Sequence, residues 1–489
     1  MKKHNALKIV LIAIATATLL TWILPSGMFQ GEFQDLGRIR VGIFDLFSYP
    51  TMVLNEVALI PVFILIVGAF YGVLHKTKAY PLLLEKMAAK LKNHSKITLT
   101  VISVIVAALA AIVGLEVAIL IFFPMIISLV LLMGYDKITA ALITVGATMI
   151  GMAGSLFAND IQGFLNHILN LEANTLVISR IIILVVGLFI LLINVFNRKQ
   201  VEEVKEEKET KKKTTKKTTK STAKKDDRVV EIKKPEVKED VLVWPLVVVL
   251  SMTAIIVIMS MISWFGMFEV ETFMNASMRV MEFDIREFYI FANIFGQASF
   301  APFGQWTLVH LSTLLIIMSG LIALVCRLSF NDFIEGFKKG MAKAALPAVI
   351  TVLIYVVLII AVFHPFQVTI YNWLVNSLGG AFIPLTSLMA MISSALNIGS
   401  GNAYALSIPL LTSNFADPSA QSLYPLIAVI YQSLSSLVML IAPTSVILMA
   451  VLSYLKISYK DWLKSTWKIV LPYLLFLIVL YIILFLRLR

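Results

Sequence analysis

The stretch Ser393-Ser-Ala-Leu-Asn-Ile-Gly-Ser-Gly-Asn-Ala-Tyr-Ala-Leu-Ser-Ile-Pro409 decides how the chain is read. It sets Asn397, Gly399, Ser400, Gly401 and Asn402 between two short apolar runs, Phe382 to Ile392 and Ala403 to Leu411. Neither run is long enough to cross a bilayer, which takes roughly 20 residues of helix. Unpaired backbone groups in hydrocarbon cost several kcal/mol, so a Gly-Ser-Gly break at membrane depth survives only where it is buried in protein or lines a watery cavity. Paired half-spans of this kind mark substrate sites in secondary transporters.

Working outward, composition agrees. Hydrophobic residues make up 59% of the 489, and mean hydropathy is +0.90, which points to an all-α polytopic membrane protein. A net charge of +12 raises nucleic acid as a partner, but the placement of the charges excludes it. Residues 198–240 hold 16 of the 41 Lys and Arg and 11 of the 29 acids, and most of the others flank apolar runs as topology signals. The 198–240 segment is low-complexity and basic, with Lys-Lys-Lys-Thr-Thr-Lys-Lys-Thr-Thr-Lys at 211–220; it reads as a disordered cytoplasmic linker. It separates a membrane half at 1–197 from a second at 241–489. The single Cys326 rules out an internal disulfide and any cysteine-built metal site.

From the N-terminus, Ile9 to Leu24 reads as an uncleaved first span that starts inside, because no small-x-small cleavage site follows it. The lysines from Lys76 to Lys96 mark the next loop as cytoplasmic, and Lys338, Lys339 and Lys343 mark another, each expected as a helix lying on the membrane. The apolar block 97–133 is interrupted at Val113-Gly114-Leu115-Glu116, and two readings stay open: two full spans joined outside, or a re-entrant hairpin entered from the cytoplasm. The hairpin is preferred, since it puts Glu116 at a tip facing a cavity. With the stretch 382–412 as a second hairpin entered from outside, the halves become inverted repeats, with about nine spans in all.

Candidate site residues follow. The turn before Ala403 offers unpaired N–H groups at a helix N-terminus, which suits a carboxylate. Asn397, Gly399, Ser400, Gly401 and Asn402 are therefore substrate-binding candidates, joined by Thr444 and Ser445 at the proline break Ala442-Pro443-Thr444-Ser445. Glu116 is the lone acid between Glu85 and Asp136, and intramembrane acids are functional by default, whether for substrate or for a coupling ion. The small-residue run Gly146 to Ser155 reads either as close helix packing or as a second broken helix. On the broken-helix reading Ser155, Asn159 and Asp160 serve ion coupling, together with Gln432 and Ser436 ahead of the proline break. His310 and His364 sit near span ends and read as packing. No metal-ligand spacing, phosphate loop or nucleophile constellation appears, so neither an enzyme nor a bound cofactor is expected; Na⁺ or H⁺ is the expected coupling ion.

The residues Gly399-Ser-Gly-Asn-Ala403, Ile408-Pro409, Pro443-Thr-Ser445 with Leu448-Met-Ala-Val-Leu452, and Tyr459-Lys-Asp-Trp-Leu-Lys464 resemble the YfcC-like, anaerobic C4-dicarboxylate-carrier-type permeases of the ion transporter superfamily. Trp22-Ile-Leu-Pro-Ser-Gly27, Gly134-Tyr-Asp136 and the Gly146 to Ser155 run extend the resemblance to nearly the whole chain outside the linker. Where members tend to carry adjacent acids and a threonine near the first hairpin tip, this chain has Glu116-Val-Ala-Ile119. The resemblance implies an elevator-type, ion-coupled or exchanging carrier in the cell membrane, a homodimer, with hairpins and broken helices forming the site. Its substrate would be a small carboxylate or an amino acid, arginine–ornithine exchange being the variant. A channel, or a membrane scaffold recruiting a partner through the basic linker, is the alternative from another class.

Overall fold

The computed structural model describes residues 5–113, 116–156, 160–172, 175–198, 242–286, 288–296, 301–396 and 402–489. The linker read at 198–240 lies, apart from Arg198, outside them. The first helices are α1 (Asn5–Ile23), an apolar run without breakers, α2 (Ile43–Val57), which runs through Pro50, and α3 (Leu59–Lys76). Between α1 and α2, β1 (Gly27–Phe29) pairs antiparallel with β2 (Phe33–Asp35) across a turn at Gly31, whose φ of 83° suits glycine. The basic stretch after α3 is helix α4 (Ala79–Lys92), followed by α5 (Ser95–Ile112), a 3₁₀ helix at Glu116–Ile121 and α6 (Phe123–Leu132). Next come α7 (Lys137–Ala141), a π-helical turn at Leu142–Gly146, α8 (Ala147–Ala153), α9 (Asp160–Ile168) and α10 (Val177–Phe196).

The second half opens with α11 (Trp244–Met261). A loop region then carries α12 (Trp264–Phe268), α13 (Thr272–Met281), the strand pair β3 (Asp284–Ile285) and β4 (Phe288–Tyr289), and α14 (Ile290–Phe295). Helices α15 (Leu308–Val325), α16 (Phe330–Phe363), α17 (Phe366–Leu378), α18 (Phe382–Leu396) and α19 (Asn402–Asn414) follow. After a 3₁₀ turn at Pro418–Leu423 the chain ends with α20 (Tyr424–Met439), α21 (Val446–Leu455) and α22 (Tyr459–Leu488).

Among the described residues, nine helices are long and apolar enough to span a membrane: α1, α3, α5, α10, α11, α15, α16, the 20 residues ending α20, and α22. Their outer faces stay apolar, with Ile178 75% and Leu324 78% exposed, which is the surface lipid requires and water penalises. The protein is an all-α polytopic membrane protein. The number of spans equals the sequence reading, but one member differs. Ser95–Ile112, read as a hairpin limb, is itself span-length, whereas Lys137–Ala153, read as crossing, is among the shorter helices. Val113, just past α5, bridges to Ile262, just past α11, while the return limb of the 97–133 block is only the 3₁₀ helix and the ten-residue α6.

The segment expected as a surface helix before a separate span, with Lys338, Lys339 and Lys343, is part of a single rod, and the C-terminal helix is a second long rod. Helix α16 runs 34 residues through Pro347, and α22 runs 30 through Pro472. Each is capped by a serine hydroxyl, Ser329 accepting from the Asp332 N–H and Ser458 from the Asp461 N–H, both at 3.1 Å. Proline removes one ladder bond, but no breaker at the amphipathic-to-apolar junction ends the helix.

Helices α3 and α16 form the most intimate pair. Gly68 and Gly72 face Gly336 and Gly340, so backbone meets backbone. A Cβ on Gly72 would lie 2.6 Å from the Gly340 Cα, and one on Gly340 would lie 2.8 Å from the Gly72 Cα; only glycine fits. Helices α1, α2 and α15 pack around this pair, and α21 lies against α16. A second group gathers α5, α8, α10, α18, α20 and α22. The first broken helix lies in that second group, and the second broken helix joins the two, with α20 in the second group and α21 against α16.

Candidate functional site

Both small-residue runs end helices deep in the protein. In the first, α8 stops at Ala153 and the chain resumes as α9 at Asp160. The two readings of Gly146 to Ser155 are both realised: its glycines pack helices closely, and the helix breaks at its end. A Cβ on Gly151 would sit 2.7 Å from the Ala110 Cβ of α5, and one on Gly154 would sit 2.6 Å from the Leu184 Cβ of α10. The π-helical turn just upstream widens the same helix, a feature that recurs at functional sites.

The second break separates α20, ending at Met439, from α21, starting at Val446. The sequence suggests that Thr444 or Ser445 satisfies the carbonyl that Pro443 frees one turn back. The two carbonyls just past α20 take their donors from α22, Trp462 Nε1 bonding Leu440 at 2.9 Å and the Tyr459 hydroxyl bonding Ile441. Ser445 is otherwise engaged: its hydroxyl caps α21 by accepting from the Leu448 N–H at 3.4 Å. Tyr459 and Trp462 thus seal the break from the side.

Each break is tied to the end of a neighbouring helix in the same way. At the first, the Leu156 N–H (3.0 Å) and the Ser155 hydroxyl (3.4 Å) donate to the carbonyl of Ala111, the penultimate residue of α5. At the second, the Thr444 hydroxyl donates at 2.7 Å to the carbonyl of Ala395, the penultimate residue of α18. Helix carbonyls in the last turn lack intrahelical partners, so each break satisfies the orphan acceptor of its neighbour. The breaks are in turn linked. Gln432 of α20 donates from Nε2 to the Met152 carbonyl at 2.5 Å, and α20 lies against α8 and α9.

A layer of buried hydroxyls surrounds α20. Tyr404 donates to Ser435 at 2.6 Å and shares a 3.2 Å bond with Ser394, while Tyr431 donates to Ser407 at 3.1 Å. Ser433 meets Tyr481 at 2.6 Å, and Ser393 donates to Tyr371 at 2.9 Å. These groups are neutral. They order the helices around the break and leave its electrostatics to the backbone dipoles and to charged groups nearby.

Of the residues singled out in the sequence, Ser155, Gln432, Thr444 and Ser445 are brought to the two breaks, and Ser436 bonds the Gln432 carbonyl on its own helix at 3.1 Å. Glu116, Asp160 and Asn402 each open a helical segment: the 3₁₀ helix, α9 and α19 respectively. Asn159, Asn397, Gly399, Ser400 and Gly401 lie outside the described residues. The packing assigned to the two histidines is seen: His364 is held between the Tyr49 hydroxyl and the Ile39 carbonyl, each at 2.7 Å, and His310 caps α15.

One residue was missed by the sequence reading. Arg180 stands one turn into α10 and is 1% exposed, although its neighbour Ile178 faces outward. With the Gln162 amide oriented to satisfy both its ends, Oε1 accepts from Arg180 Nη1, while Nε2 donates to the Ser155 carbonyl (3.0 Å) and hydroxyl (3.1 Å). Arg180 Nε has no partner, and no carboxylate pairs with this guanidinium among the described residues. The signal was available: a lone arginine inside a 20-residue apolar run is an intramembrane charge.

The family described as C4-dicarboxylate anaerobic carrier matches residues 4–486. No curated protein matches. Among solved structures, the Alcanivorax borkumensis YdaH transporter, described as having an unusual topology, covers 98% of both chains at 12% identity and a TM-score of 0.37, a likeness too slight to argue from. With the match running almost end to end over a chain of membrane-spanning helices, this protein belongs to the C4-dicarboxylate anaerobic carrier family.

Proposed function

We propose that the chain is an ion-coupled or exchanging secondary carrier of a small carboxylate-bearing metabolite, C4-dicarboxylates foremost, with an alternating-access, elevator-type cycle. The observation that carries this reading is the matched pair of helix breaks. Each is bonded to the penultimate carbonyl of a neighbouring helix, at Ala111 and at Ala395, and the two are joined through Gln432 and Met152. Such a correspondence supports an internal duplication of halves 1–197 and 241–489 with inverted topology, in which a solute is held where the breaks meet. The residues Gly399 to Asn402 would take one carboxylate ahead of α19. Ser155, Asp160, Gln432 and Ser436 would serve the coupling cation, Na⁺ or H⁺, and Glu116 would tune local charge. The group carrying the breaks would move against the α3–α16 pair, with residues 1–4 and 198–240 on the cytoplasmic side and the working unit a homodimer.

Counterflow in proteoliposomes tests the reading with labelled succinate, acetoacetate, arginine and ornithine. Succinate exchange is expected; exchange with none of the carboxylates discards it, and exchange of arginine for ornithine alone selects the basic amino acid variant. Replacing Na⁺ by choline during uptake at fixed pH separates the coupling ions, since only a Na⁺-coupled carrier slows.

A further inference from the structure

We infer that Arg180 is a substrate-binding residue whose guanidinium pairs with one carboxylate of the transported anion; this rests on the carrier reading above. A buried cation without a counter-charge is strongly unfavourable, and such groups persist where they are paired or where function requires them. Arg180 is 1% exposed on a span helix, yet the only side chain that the described residues offer it is the neutral amide of Gln162. Its Nε is buried and unpartnered.

Its location supplies the second half of the argument. Gln162 binds Arg180 with its oxygen and Ser155 with its nitrogen, so the guanidinium is oriented by the same residue that holds the first helix break. The Arg180 carbonyl lies against Gly154, where a Cβ would stand 2.7 Å from it, which brings the backbone of α10 onto the break itself. A planar guanidinium with an unpartnered Nε–H matches a carboxylate in shape and charge. Placed at the first break, it can take one carboxylate of a transported anion. The same positive charge repels the cationic end of a basic amino acid, so this site selects for anions.

The test uses the full chain, purified in detergent and reconstituted. Wild-type protein is first shown to exchange succinate; if it exchanges no carboxylate, the carrier reading fails and this inference falls with it. Given wild-type exchange, Arg180→Gln is expected to raise the succinate KM on the order of thirtyfold or more. Succinate should no longer raise its melting temperature, although its elution profile in detergent is that of the wild type. Arg180→Lys keeps the charge and should recover part of the affinity. Should Arg180→Gln fail to assemble, Gln162→Leu, which frees the guanidinium from its orienting amide, is expected to raise the succinate KM while leaving the elution profile unchanged. A folded Arg180→Gln variant with a succinate KM within threefold of wild type, or a full succinate-induced shift on a lowered starting temperature, marks the arginine as structural and overturns the inference.

Discussion

The two helix breaks are tied to their neighbours by unequal bonds, and the inequality predicts unequal mutants. Thr444→Val replaces a hydroxyl by a methyl of nearly the same size, removing the 2.7 Å bond to the Ala395 carbonyl. That carbonyl belongs to the last turn of α18, and among the described residues no second donor reaches it from outside the helix. Thr444 itself is 5% exposed, so water cannot readily take its place. Stranding a buried acceptor costs about 1 to 3 kcal/mol. Ser155→Ala removes a longer bond, 3.4 Å, from an Ala111 carbonyl that keeps the Leu156 N–H at 3.0 Å, and a 3.1 Å bond from Gln162 Nε2, which keeps the Ser155 carbonyl at 3.0 Å. Its cost should stay below about 0.5 kcal/mol, within the range of a replaced or redundant bond. Melting temperatures of both variants in the same detergent, with the exchange rate of Thr444→Val in proteoliposomes, provide the comparison. Thr444→Val should melt clearly lower and exchange more slowly, with Ser155→Ala close to wild type in melting temperature; exchange by Ser155→Ala reports instead on the coupling cation, to which that hydroxyl is assigned. Equal losses of melting temperature, or a larger loss at Ser155, would refute the claim that the hydroxyl of Thr444 anchors the second break.

Other perturbations have definite outcomes. Gly340→Leu forces α3 and α16 apart and should abolish monodisperse elution, because overpacking costs about 1 to 3 kcal/mol even where neighbours can adjust, and here the neighbour is backbone. Gly320→Ala puts its methyl in open space and should hold or raise the melting temperature, gaining up to about 1 kcal/mol of helix propensity. Gln432→Leu cuts the link to Met152 and should lower exchange at least tenfold without loss of folded protein, as judged by elution profile. Trp462→Phe leaves the Leu440 carbonyl without its 2.9 Å donor and should cost about 1 to 2 kcal/mol, read as a lower melting temperature.

Much of this was legible in the residues, and the illegible parts share a cause. Apolar runs announce helices, and the breaks at Pro443 and around Gly154 declare themselves because proline and dense small residues interrupt a pattern that hydrocarbon otherwise enforces. What those breaks bond to was not legible. Trp462 and Tyr459 stood out only as part of a stretch resembling the family, and tertiary packing alone shows that they close the gap at Leu440 and Ile441. Helix continuity at 330–363 and 459–488 was missed because composition changes from amphipathic to apolar without any change in backbone preference. Helix α17 went unread for the converse reason: its 13 residues mix Gln367, Asn372 and Asn376 with apolar side chains, too polar for a span and too short for a strong period. Arg180 was passed over because the run around it satisfied the length criterion for a span, and its one charge did not lower the average enough to draw notice.

The 34-residue rod that pairs with α3 is longer than the membrane it sits in. At 1.5 Å per residue it measures about 51 Å, against a hydrocarbon thickness of about 30 Å. Its glycine crossing with α3 lies in the amphipathic first part, at Gly336 and Gly340, while much of the apolar part beyond, from Ala344 to Ala361, is buried among neighbouring helices. A thinner or thicker membrane is then met by tilt of that packed group as a whole, at a fraction of a kcal/mol per Å. The same packing makes lipid thickness a variable that acts on the protein's inclination in the bilayer.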